Sequence, residues 1–593
     1  MYRASLKEFQ FLFQHQLQLQ QLSQSARYAD FSNDLAEAIL GEAGRFAEQI
    51  LDPINASGDR EGAKWSESGV RTPKGFAAAY KQFAADGWTQ LALDVEHGGQ
   101  GAPLTVAIAA EEIWTGANMA FMLCPLLGRG SVEALIMAGS PEVKQRFLPR
   151  LVSGEWTGTM NLTEPQAGSD LATIRTRAQP EGDRYRLFGQ KIFITYGDHD
   201  MADNIVHLVL ARIDGAPAGT RGISLFVVPK FLIDEQGNPG QPNDVRCVSI
   251  EHKLGIHASP TCVMSFGDRD GAVGYLVGQP NRGLEYMFVM MNVARLSVGV
   301  QGVGVGERAL QQATEWARTR IQSRPIATPA SGPVAIIHHP DVRRMLLAMK
   351  SAVQAMRVLG LYAALQFDLV DAAADEAAGR PMHSRGELLI PIVKGWCTEL
   401  VNEVTSLGVQ IHGGMGYVEE TGAAQAMRDI RIAAIYEGTT AIQANDLLGR
   451  KLVRDQGAAL NALLDALSAS LQSMQGAADV AGPIDAAVAA LRELRATSVA
   501  LMQLAMTNPA DAYAVAVPFL MQCGFVLGGA LLVESAAIAT AQLASGGGDA
   551  EFLRAKQQTA RFYVGHWLPQ ATALARVVAD GGTSVTHSEA ELI

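Results

Sequence analysis

The hydrophobic period of the chain changes twice, and these changes limit the folds that the sequence can adopt. Up to about residue 155, apolar residues such as Leu35, Ile39 and Phe46 recur at intervals of three and four, which is the helical period. From about 156 to 280 the chain consists of short segments rich in β-branched and aromatic residues, separated by turn-forming residues, as expected of strands. Helical periodicity then returns. Because long runs of one element type follow each other, the pattern argues against a doubly wound sheet.

These changes predict a mainly α-helical protein with a central β-domain. A length of 593 residues allows about three to four domains. We predict a helical domain over 1–155, a β-barrel or sandwich over 156–280, a helical bundle over 281–454 and a helical extension over 455–593. Two segments that contain proline and glycine, 323–340 and 476–485, are predicted to be loops.

The charge and the cysteines exclude several classes of protein. A formal net charge of -12 disfavours a nucleic-acid partner, which would favour a basic face. The five cysteines are scattered and odd in number, so we expect neither a disulfide framework nor a bound metal. The N-terminus lacks the apolar core of a signal peptide, and no uninterrupted apolar run reaches the roughly 18 residues of a membrane span. We therefore expect a cytoplasmic protein without integral membrane contact.

One carboxylate stands out because its neighbours are apolar or small. Glu437 lies in "IYEGTT", residues 435–440. It could be a solvated loop residue, an acid that favours the dipole of a helix beginning near Thr439, or a base that is kept out of water. These residues alone leave the three interpretations open.

Other stretches that resemble functional motifs are better explained by structural roles. "GVQGVGVGERAL", residues 299–310, does not satisfy GxGxxG and has no preceding strand, so we predict a helix whose small residues allow close packing. His338 and His339 have no further metal ligands nearby in the sequence. Ser131 and Ser169 lack the GxSxG context of a hydrolase nucleophile.

Four stretches, in the order in which they occur, resemble the acyl-CoA dehydrogenase family over about residues 35–450. They are "MNLTEPQAGSDL" (160–171), "GQKIFITYG" (189–197), "QIHGGMGY" (410–417) and "RIAAIYEGTTAIQANDLLGRK" (431–451). The length is similar to the subgroup with a C-terminal helical extension, which includes very-long-chain acyl-CoA dehydrogenases and bacterial enzymes acting on 3-methylmercaptopropionyl-CoA. "HHPDVRRMLL" and "MNVAR" are most similar to the bacterial enzymes.

The resemblance implies a middle β-domain between two helical domains, bound FAD, and a homodimer or dimer of dimers. It implies oxidation of an acyl-CoA thioester to the trans-2-enoyl-CoA, with electrons passed to an electron-transfer flavoprotein. The reaction would belong to fatty-acid β-oxidation or to methylthiopropionyl-CoA catabolism. An acyl-CoA oxidase and a noncatalytic flavin-binding or DNA-associated relative are the alternatives.

The resemblance also assigns the catalytic base. Glu437 matches the base of the family, and small neighbours would let a bound acyl chain exclude water from its carboxyl. Some members carry the base on another helix instead, at the position of Ala294, which cannot remove a proton. Substrate contacts are implied for Ser169, Asn292, Arg295 and Gly438. A turn or cap for Ser169, a salt bridge for Arg295 and a helix-surface position for Asn292 are the competing interpretations.

The remaining matches concern FAD. The implied contacts are Met160, Leu162, Thr163, Phe193, Thr195, Arg320, Gln410, Gly413, Gly414 and Thr439. In the family the contacts that match Gln410, Gly413, Gly414 and Arg320 reach the FAD of the neighbouring subunit. Phe193 stands where the family has tryptophan, and an ordinary strand-core position is its competing interpretation. Ser323, Arg324 and Pro340 depart from the usual pattern, which leaves the pyrophosphate contacts open. Ala441 stands where the family often has a glutamine, two residues after Thr439.

Overall fold

The computed structural model describes residues 1–326, 332–475 and 478–592. Helices dominate, and the strands are confined to the first half of the chain. The helices are α1 (Leu6–Phe11), α2 (Asn33–Phe46), α3 (Asp52–Glu61), α4 (Phe76–Ala85), α5 (Leu104–Ala138), α6 (Pro141–Ser153), α7 (Gly283–Thr319), α8 (Pro340–Asp371), α9 (Glu376–His412), α10 (Ala423–Ile430), α11 (Thr440–Asp446), α12 (Ala458–Ser473), α13 (Ala478–Thr507), α14 (Pro509–Ala514), α15 (Ala516–Ala544), α16 (Ala550–His566), α17 (Leu568–Asp580) and α18 (Gly582–Thr586). The predicted helical protein with a central β-domain is confirmed.

The strands form one large sheet and two short hairpins. They are β1 (Lys64–Ser66), β2 (Gly69–Arg71), β3 (Trp156–Asn161), β4 (Arg177–Glu181), β5 (Arg184–Thr195), β6 (Asn204–Ile213), β7 (Ile223–Pro229), β8 (Phe231–Ile233), β9 (Pro239–Pro242), β10 (Val245–Ile250), β11 (Thr261–Phe266) and β12 (Ala272–Val277). The large sheet has the order β10-β11-β5-β12-β7-β6-β3, and β4 pairs with both β5 and β6. The pairs among β5, β12, β7, β6 and β4 therefore close a ring, which makes the β-domain a small barrel.

Alternating side chains divide the strands of the barrel between two apolar clusters. On β6, Val206, Leu208 and Leu210 join a cluster that also contains residues of α5 and α6, whereas Val209 and Ala211 join the other cluster. β7 alternates in the same way. This period of two is the reason that apolar residues fill these strands almost continuously, since both faces are covered.

By compactness the chain divides into two units. Unit 1 contains Met1–Gly44, Pro103–Gly116 and Arg295–Ile593, and unit 2 contains Arg45–Ala102 and Ala117–Ala294. The barrel belongs to unit 2, and α8 to α18 belong to unit 1. The four domain boundaries drawn from the sequence stay predictions.

The glycine-rich stretch 299–310 lies inside α7, as predicted. Small residues allow close packing there, because a Cβ added to Gly304 would lie 2.5 Å from the carbonyl oxygen of Glu112 on α5. A larger residue would therefore separate the two helices. The neighbouring loop prediction, 323–340, is interrupted by residues 327–331, which lie outside the described part of the chain.

The second predicted loop is largely wrong. Residues 476 and 477 lie outside the described ranges, but the rest of 476–485 belongs to α13 in spite of Pro483. Val480, Ile484 and Ala487 are buried at the spacing of a helix, so their packing outweighs the hydrogen bond that proline cannot donate.

The C-terminal extension packs against the helices of the preceding bundle. Trp396 on α9 is fully buried against α15, where a Cβ on Gly524 would lie 2.0 Å from the indole. Trp567 donates through Nε1 to the carbonyl of Ala348 on α8 at 3.1 Å. The extension thereby fixes α8 and α9 from one side.

In the described part of the chain, three helices are long and apolar enough to cross a membrane by length and composition, although the sequence has no uninterrupted apolar run of that length. They are α5, α7 and α15, and 72%, 76% and 83% of their most apolar windows are buried in the protein. Their apolar side chains therefore serve internal packing.

A buried ion cluster joins three segments of unit 1. Arg357 on α8 donates to Glu112 on α5 at 2.6 and 2.8 Å and to Glu307 on α7 at 2.8 Å. The ring of Phe9 lies 5.4 Å from the guanidinium carbon. Because all three charged side chains are buried, each depends on the others for compensation.

Arg357→Met is expected to lower the free energy of unfolding by about 3–5 kcal/mol, because it leaves two buried carboxylates without a cation. Urea unfolding followed by circular dichroism measures the loss. Arg344→Met is the matched control, since Arg344 forms an exposed ion pair with Asp341 on the same helix and such pairs stabilise little. Equal losses in the two variants would contradict the argument.

Candidate functional site

Glu437 lies in a left-handed turn that begins after Ala434 and ends at α11. Its φ is 53° and that of Gly438 is 88°, so two consecutive residues have left-handed backbone. This conformation costs a non-glycine residue about 1–3 kcal/mol. Thr439 caps α11, because its side chain accepts a hydrogen bond from the N–H of Ile442 at 3.4 Å. The helix predicted to begin near Thr439 is confirmed.

Two buried side chains hold the carbonyl groups of this turn. Lys394 on α9 donates through Nζ to the carbonyl oxygen of Gly438 at 2.6 Å. Gln443 on α11 donates through Nε2 to the carbonyls of Glu437 and Gly438 at 3.3 and 3.2 Å. We name Lys394 and Gln443 the carbonyl clamp. It offsets the strain of the left-handed pair and fixes where the Glu437 side chain begins.

Opposing influences act on the carboxyl of Glu437. Burial raises its pKa above the ordinary value, although the residue keeps some exposed surface, while the positive charges of Arg295 and Lys394 act to lower it. Burial also lowers the pKa of Lys394 to about 8, although Glu437 opposes that change. The group is therefore a carboxylate of increased basicity beside two cations, which suits a general base.

Arg295 is 4% exposed and lies at the Glu437 turn. Its Nη1 is 3.9 Å from the carboxylate of Asp446, so the salt-bridge interpretation holds. A Cβ on Gly438 would nevertheless lie 3.7 Å from Nη2 of Arg295, which places the guanidinium beside the turn as well. Unit 1 thus brings together the predicted residues Arg295, Glu437, Gly438 and Thr439.

The other predicted residues of unit 1 are open to ligands. Gln410 and Arg320 are exposed, and nothing lies within 4 Å of a Cβ built on Gly413 or Gly414. A ligand can therefore approach the backbone of both glycines closely. The exposed apolar side chains of Met415 and Tyr417 follow directly.

A cavity of about 1020 Å³ is lined by residues that are close in the sequence to Arg320 and Gly413. Trp316, Arg318, Thr319 and His412 line it, and the rings of Trp316 and His412 stack with centroids 5.2 Å apart. Glu437 does not line this cavity. The cavity is therefore separate from the Glu437 carboxyl.

Unit 2 carries the predicted residues of the β-domain. Met160 is buried in β3, Leu162 and Thr163 are half-buried just after it, and Ser169 is exposed. Asp170 rather than Ser169 caps the short helix that follows, so the cap interpretation of Ser169 is wrong. Asn292, which also belongs to this unit, is half-buried in α7.

Phe193 and Thr195 lie at the end of β5. Phe193 is 58% exposed and has a φ of 59°, so the strand-core interpretation is wrong and its ring is presented to solvent. Thr195 is half-buried and pairs with Thr261 of β11. An exposed aromatic ring in a strained conformation is available to pack against a planar ligand.

A buried ion pair that the motifs did not reveal holds the loop after β3. Glu164 accepts hydrogen bonds from Lys191 Nζ at 2.8 Å, from the N–H groups of Arg175 and Thr176, and from the hydroxyl of Thr176. Lys191 also donates to the carbonyl of Leu162 at 3.0 Å. Although burial acts to raise it, these donors hold the pKa of Glu164 at about 2. The pair therefore fixes the backbone of the predicted Leu162–Thr163 contact.

Sequence reasoning missed four residues: Lys191, Glu164, Lys394 and Gln443. The two lysines gave a usable signal, since each is a single charge within an apolar strand or helix stretch. Among the described residues, no group of three or more histidine, cysteine, aspartate or glutamate side chains could hold a metal ion.

Comparison with known proteins covers nearly the whole chain. Models of the N-terminal, middle and C-terminal domains of acyl-CoA dehydrogenases match residues 33–155, 159–269 and 281–452. A further model, described as acetyl-CoA dehydrogenase C-terminal like, matches 442–588. A 3-methylmercaptopropionyl-CoA dehydrogenase of Ruegeria pomeroyi is 48% identical over 586 residues, which are 98% of this chain and 99% of the relative.

The chain belongs to the acyl-CoA dehydrogenase family. A butyryl-CoA dehydrogenase of Syntrophomonas wolfei is 34% identical over 597 residues, covering 98% of this chain and 97% of the relative. A Bacillus anthracis acyl-CoA dehydrogenase solved with FAD has the same fold, with a TM-score of 0.73 at 21% identity over 96% of this chain and 91% of that one. The protein is therefore an oxidoreductase acting on the CH–CH bond of acyl-CoA, and its cofactor is FAD.

The residues of this acyl-CoA dehydrogenase fit a flavin. Phe193 offers an exposed ring, and Gly413 and Gly414 leave open space beside their backbone. Exposed Arg320 and Gln410 supply a cation and an amide, which suit phosphate and nucleoside groups.

Glu164→Gln is expected to lower the free energy of unfolding by about 3–5 kcal/mol at pH 7, because the buried ammonium of Lys191 loses its carboxylate. Adding Lys191→Met should recover part of that loss, since the buried charge is then removed too. Urea unfolding of the wild type, both single variants and the double variant gives a double-mutant cycle that measures the coupling energy of the pair. Strictly additive losses would contradict a coupled pair.

Proposed function

We propose that the protein removes hydrogen from the α and β carbons of an acyl-CoA thioester to give the trans-2-enoyl-CoA, with Glu437 as the base. The observation that carries this proposal is the environment of Glu437, a carboxyl whose pKa burial raises and which lies in a turn held by the carbonyl clamp. A thioester α-hydrogen is a weak carbon acid, so its removal needs a base stronger than a solvated carboxylate.

Glu437 accepts the pro-R α-proton on one carboxylate oxygen. Arg295 and Lys394 keep the carboxylate ionised before substrate arrives, because their charges oppose the effect of burial. An acyl chain that displaces water then raises the basicity of the carboxylate further. The N–H of Glu437 polarises the thioester carbonyl and stabilises the developing enolate. When bound, FAD supplies the acceptor for the β-hydride, which no side chain can provide.

We propose 3-methylmercaptopropionyl-CoA as the preferred substrate. The support is the Ruegeria pomeroyi relative of that name, which matches this chain from end to end at 48% identity. Short straight-chain acyl-CoA thioesters are the second candidate, since the Syntrophomonas wolfei butyryl-CoA dehydrogenase also matches over 98% of this chain, at 34% identity.

Dimerisation is proposed to complete the FAD site. Gln410, Gly413, Gly414 and Arg320 are exposed, and the exposed apolar residues Met415, Tyr417 and Val418 follow the glycines. Exposed apolar side chains beside ligand-binding groups favour a subunit interface. The proposed assembly is a homodimer or a dimer of such dimers, located in the cytoplasm. Electrons would leave to an electron-transfer flavoprotein.

Glu437→Gln is expected to retain FAD and the fold but to lose at least about three orders of magnitude in the rate of flavin reduction, because an amide cannot accept the α-proton. Anaerobic stopped-flow measurement of flavin bleaching by acyl-CoA gives the rate. Glu376→Gln, which removes an exposed carboxylate from α9, is the matched control and should bleach normally. Normal bleaching by Glu437→Gln would exclude Glu437 as the base.

A substrate panel tests the proposed specificity. We expect kcat/KM with a dye acceptor to be at least about tenfold higher for 3-methylmercaptopropionyl-CoA than for butyryl-CoA, which corresponds to about 1.4 kcal/mol of transition-state binding. A higher kcat/KM with straight-chain acyl-CoA thioesters would instead indicate an enzyme of fatty-acid β-oxidation. Peroxide formed in step with the enoyl product would indicate an oxidase, and absence of bleaching across the panel would indicate a noncatalytic flavoprotein.

A further inference from the structure

The ammonium group of Lys394 lies inside unit 1, beside the proposed base. We infer that Lys394 is a positioning residue for the base: it holds the left-handed turn through the carbonyl of Gly438 and keeps a positive charge beside the carboxylate of Glu437. This inference rests on the proposed function of Glu437.

The geometry joins α9 directly to the turn. The Nζ–O distance of 2.6 Å between Lys394 and Gly438 is short, as expected when a charged donor meets a carbonyl. The neighbours of Lys394 on α9, Val393 and Trp396, are fully buried, and Trp396 is packed against α15. The donor therefore stands on a rigid support, and the turn is fixed relative to that helix.

A structural requirement alone does not explain a lysine at this place. Burying an ammonium carries a large desolvation cost, and an apolar residue of similar size would fill the same space without it. The other fully buried lysines contact a carboxylate directly, Lys191 with Glu164 and Lys556 with Glu8. Lys394 instead donates to a backbone carbonyl in the turn of the base. Its charge thus acts where the reaction requires both a fixed backbone and an ionised carboxylate.

The second member of the clamp completes the restraint. Gln443 is fully buried and donates to the carbonyls of Glu437 and Gly438, which belong to two consecutive peptide bonds of the turn. A Cβ on Gly438 would lie 2.7 Å from Nε2 of Gln443. The clamp therefore touches the turn closely enough for a displacement of the base to disturb at least one hydrogen bond.

The charges that face the pair determine the direction of the pH effect. Glu437 is influenced by Arg295 and Lys394, and Lys394 by Glu437, Arg295 and Glu399. Lys394 carries its charge below about pH 8, where it lowers the pKa of Glu437. Removing the charge must raise the pKa of Glu437. Since the ionised form is the base, the acid limb of the pH profile should move to higher pH.

The test uses the FAD-loaded enzyme with Lys394→Met, and Lys556→Met as the matched loss of a buried lysine in the same unit. Lys394→Met is expected to fold, because it replaces a buried cation by an apolar chain of similar length. We expect flavin reduction by acyl-CoA to slow by at least about tenfold below pH 7 and the acid limb of kcat/KM to rise by about one pH unit, as for loss of a neighbouring opposite charge. Lys556→Met should lose stability but keep the wild-type pH profile.

Hydrogen exchange supplies a readout that does not depend on turnover. Amides in the peptide covering residues 435–441 should exchange faster in Lys394→Met than in the wild type. In Lys556→Met they should exchange at the wild-type rate. Wild-type exchange and an unmoved acid limb would overturn the inference while leaving Glu437 as the base. Faster exchange with an unmoved limb would make Lys394 a structural residue and would also overturn it. A wild-type enzyme whose flavin no acyl-CoA bleaches would instead remove the proposed function and the inference with it.

Discussion

The hydrogen bond between the buried ammonium of Lys394 and the carbonyl of Gly438 connects the interior of the helical bundle with the turn that presents Glu437. Neither the buried ammonium nor the turn is favourable alone, since an ammonium inside a protein is costly and the left-handed backbone of Glu437 is strained. Together they compensate each other in part. Unit 2 has a similar arrangement, because the buried ammonium of Lys191 donates both to the carbonyl of Leu162 and to the carboxylate of Glu164. In each unit, therefore, a lysine within a regular element fixes an irregular segment that bears predicted site residues.

The C-terminal extension gains a physical function from this arrangement. α15 lies so close to α9 that only glycine fits at position 524 beside Trp396. Trp396 is two residues from Lys394, so the packing of α15 restrains the helix that carries the clamp lysine. An apolar helix of this length would otherwise suit a membrane, but here it is largely covered by protein. The extension thus supports the site by packing, without contributing a residue to the Glu437 turn described above.

Sequence reasoning recovered what local patterns encode. The changes of period gave the helices and the barrel. An isolated carboxylate among small residues made Glu437 a candidate, and the family resemblance then selected one of its three interpretations. It failed where distant segments decide the outcome. Pro483 lies in a helix because Val480 and Ile484 are buried by other segments, and Lys394 is 43 positions from the Glu437 that it faces. Such pairings follow from the tertiary fold. In a single sequence their only sign is a charged residue within an apolar stretch, which is seldom buried without a partner.

The proposed base needs both of the opposing influences that meet at Glu437. Burial raises its pKa and therefore favours the protonated carboxyl, which cannot accept the α-proton. Cations alone would keep it ionised but would also lower its basicity, which slows abstraction from a weak carbon acid. In the proposed mechanism, the charges of Arg295 and Lys394 favour the ionised form of this partly buried carboxyl before the acyl chain excludes the remaining water. The proposal implies that the basicity of Glu437 rises once the substrate is bound, which would tie proton removal to binding.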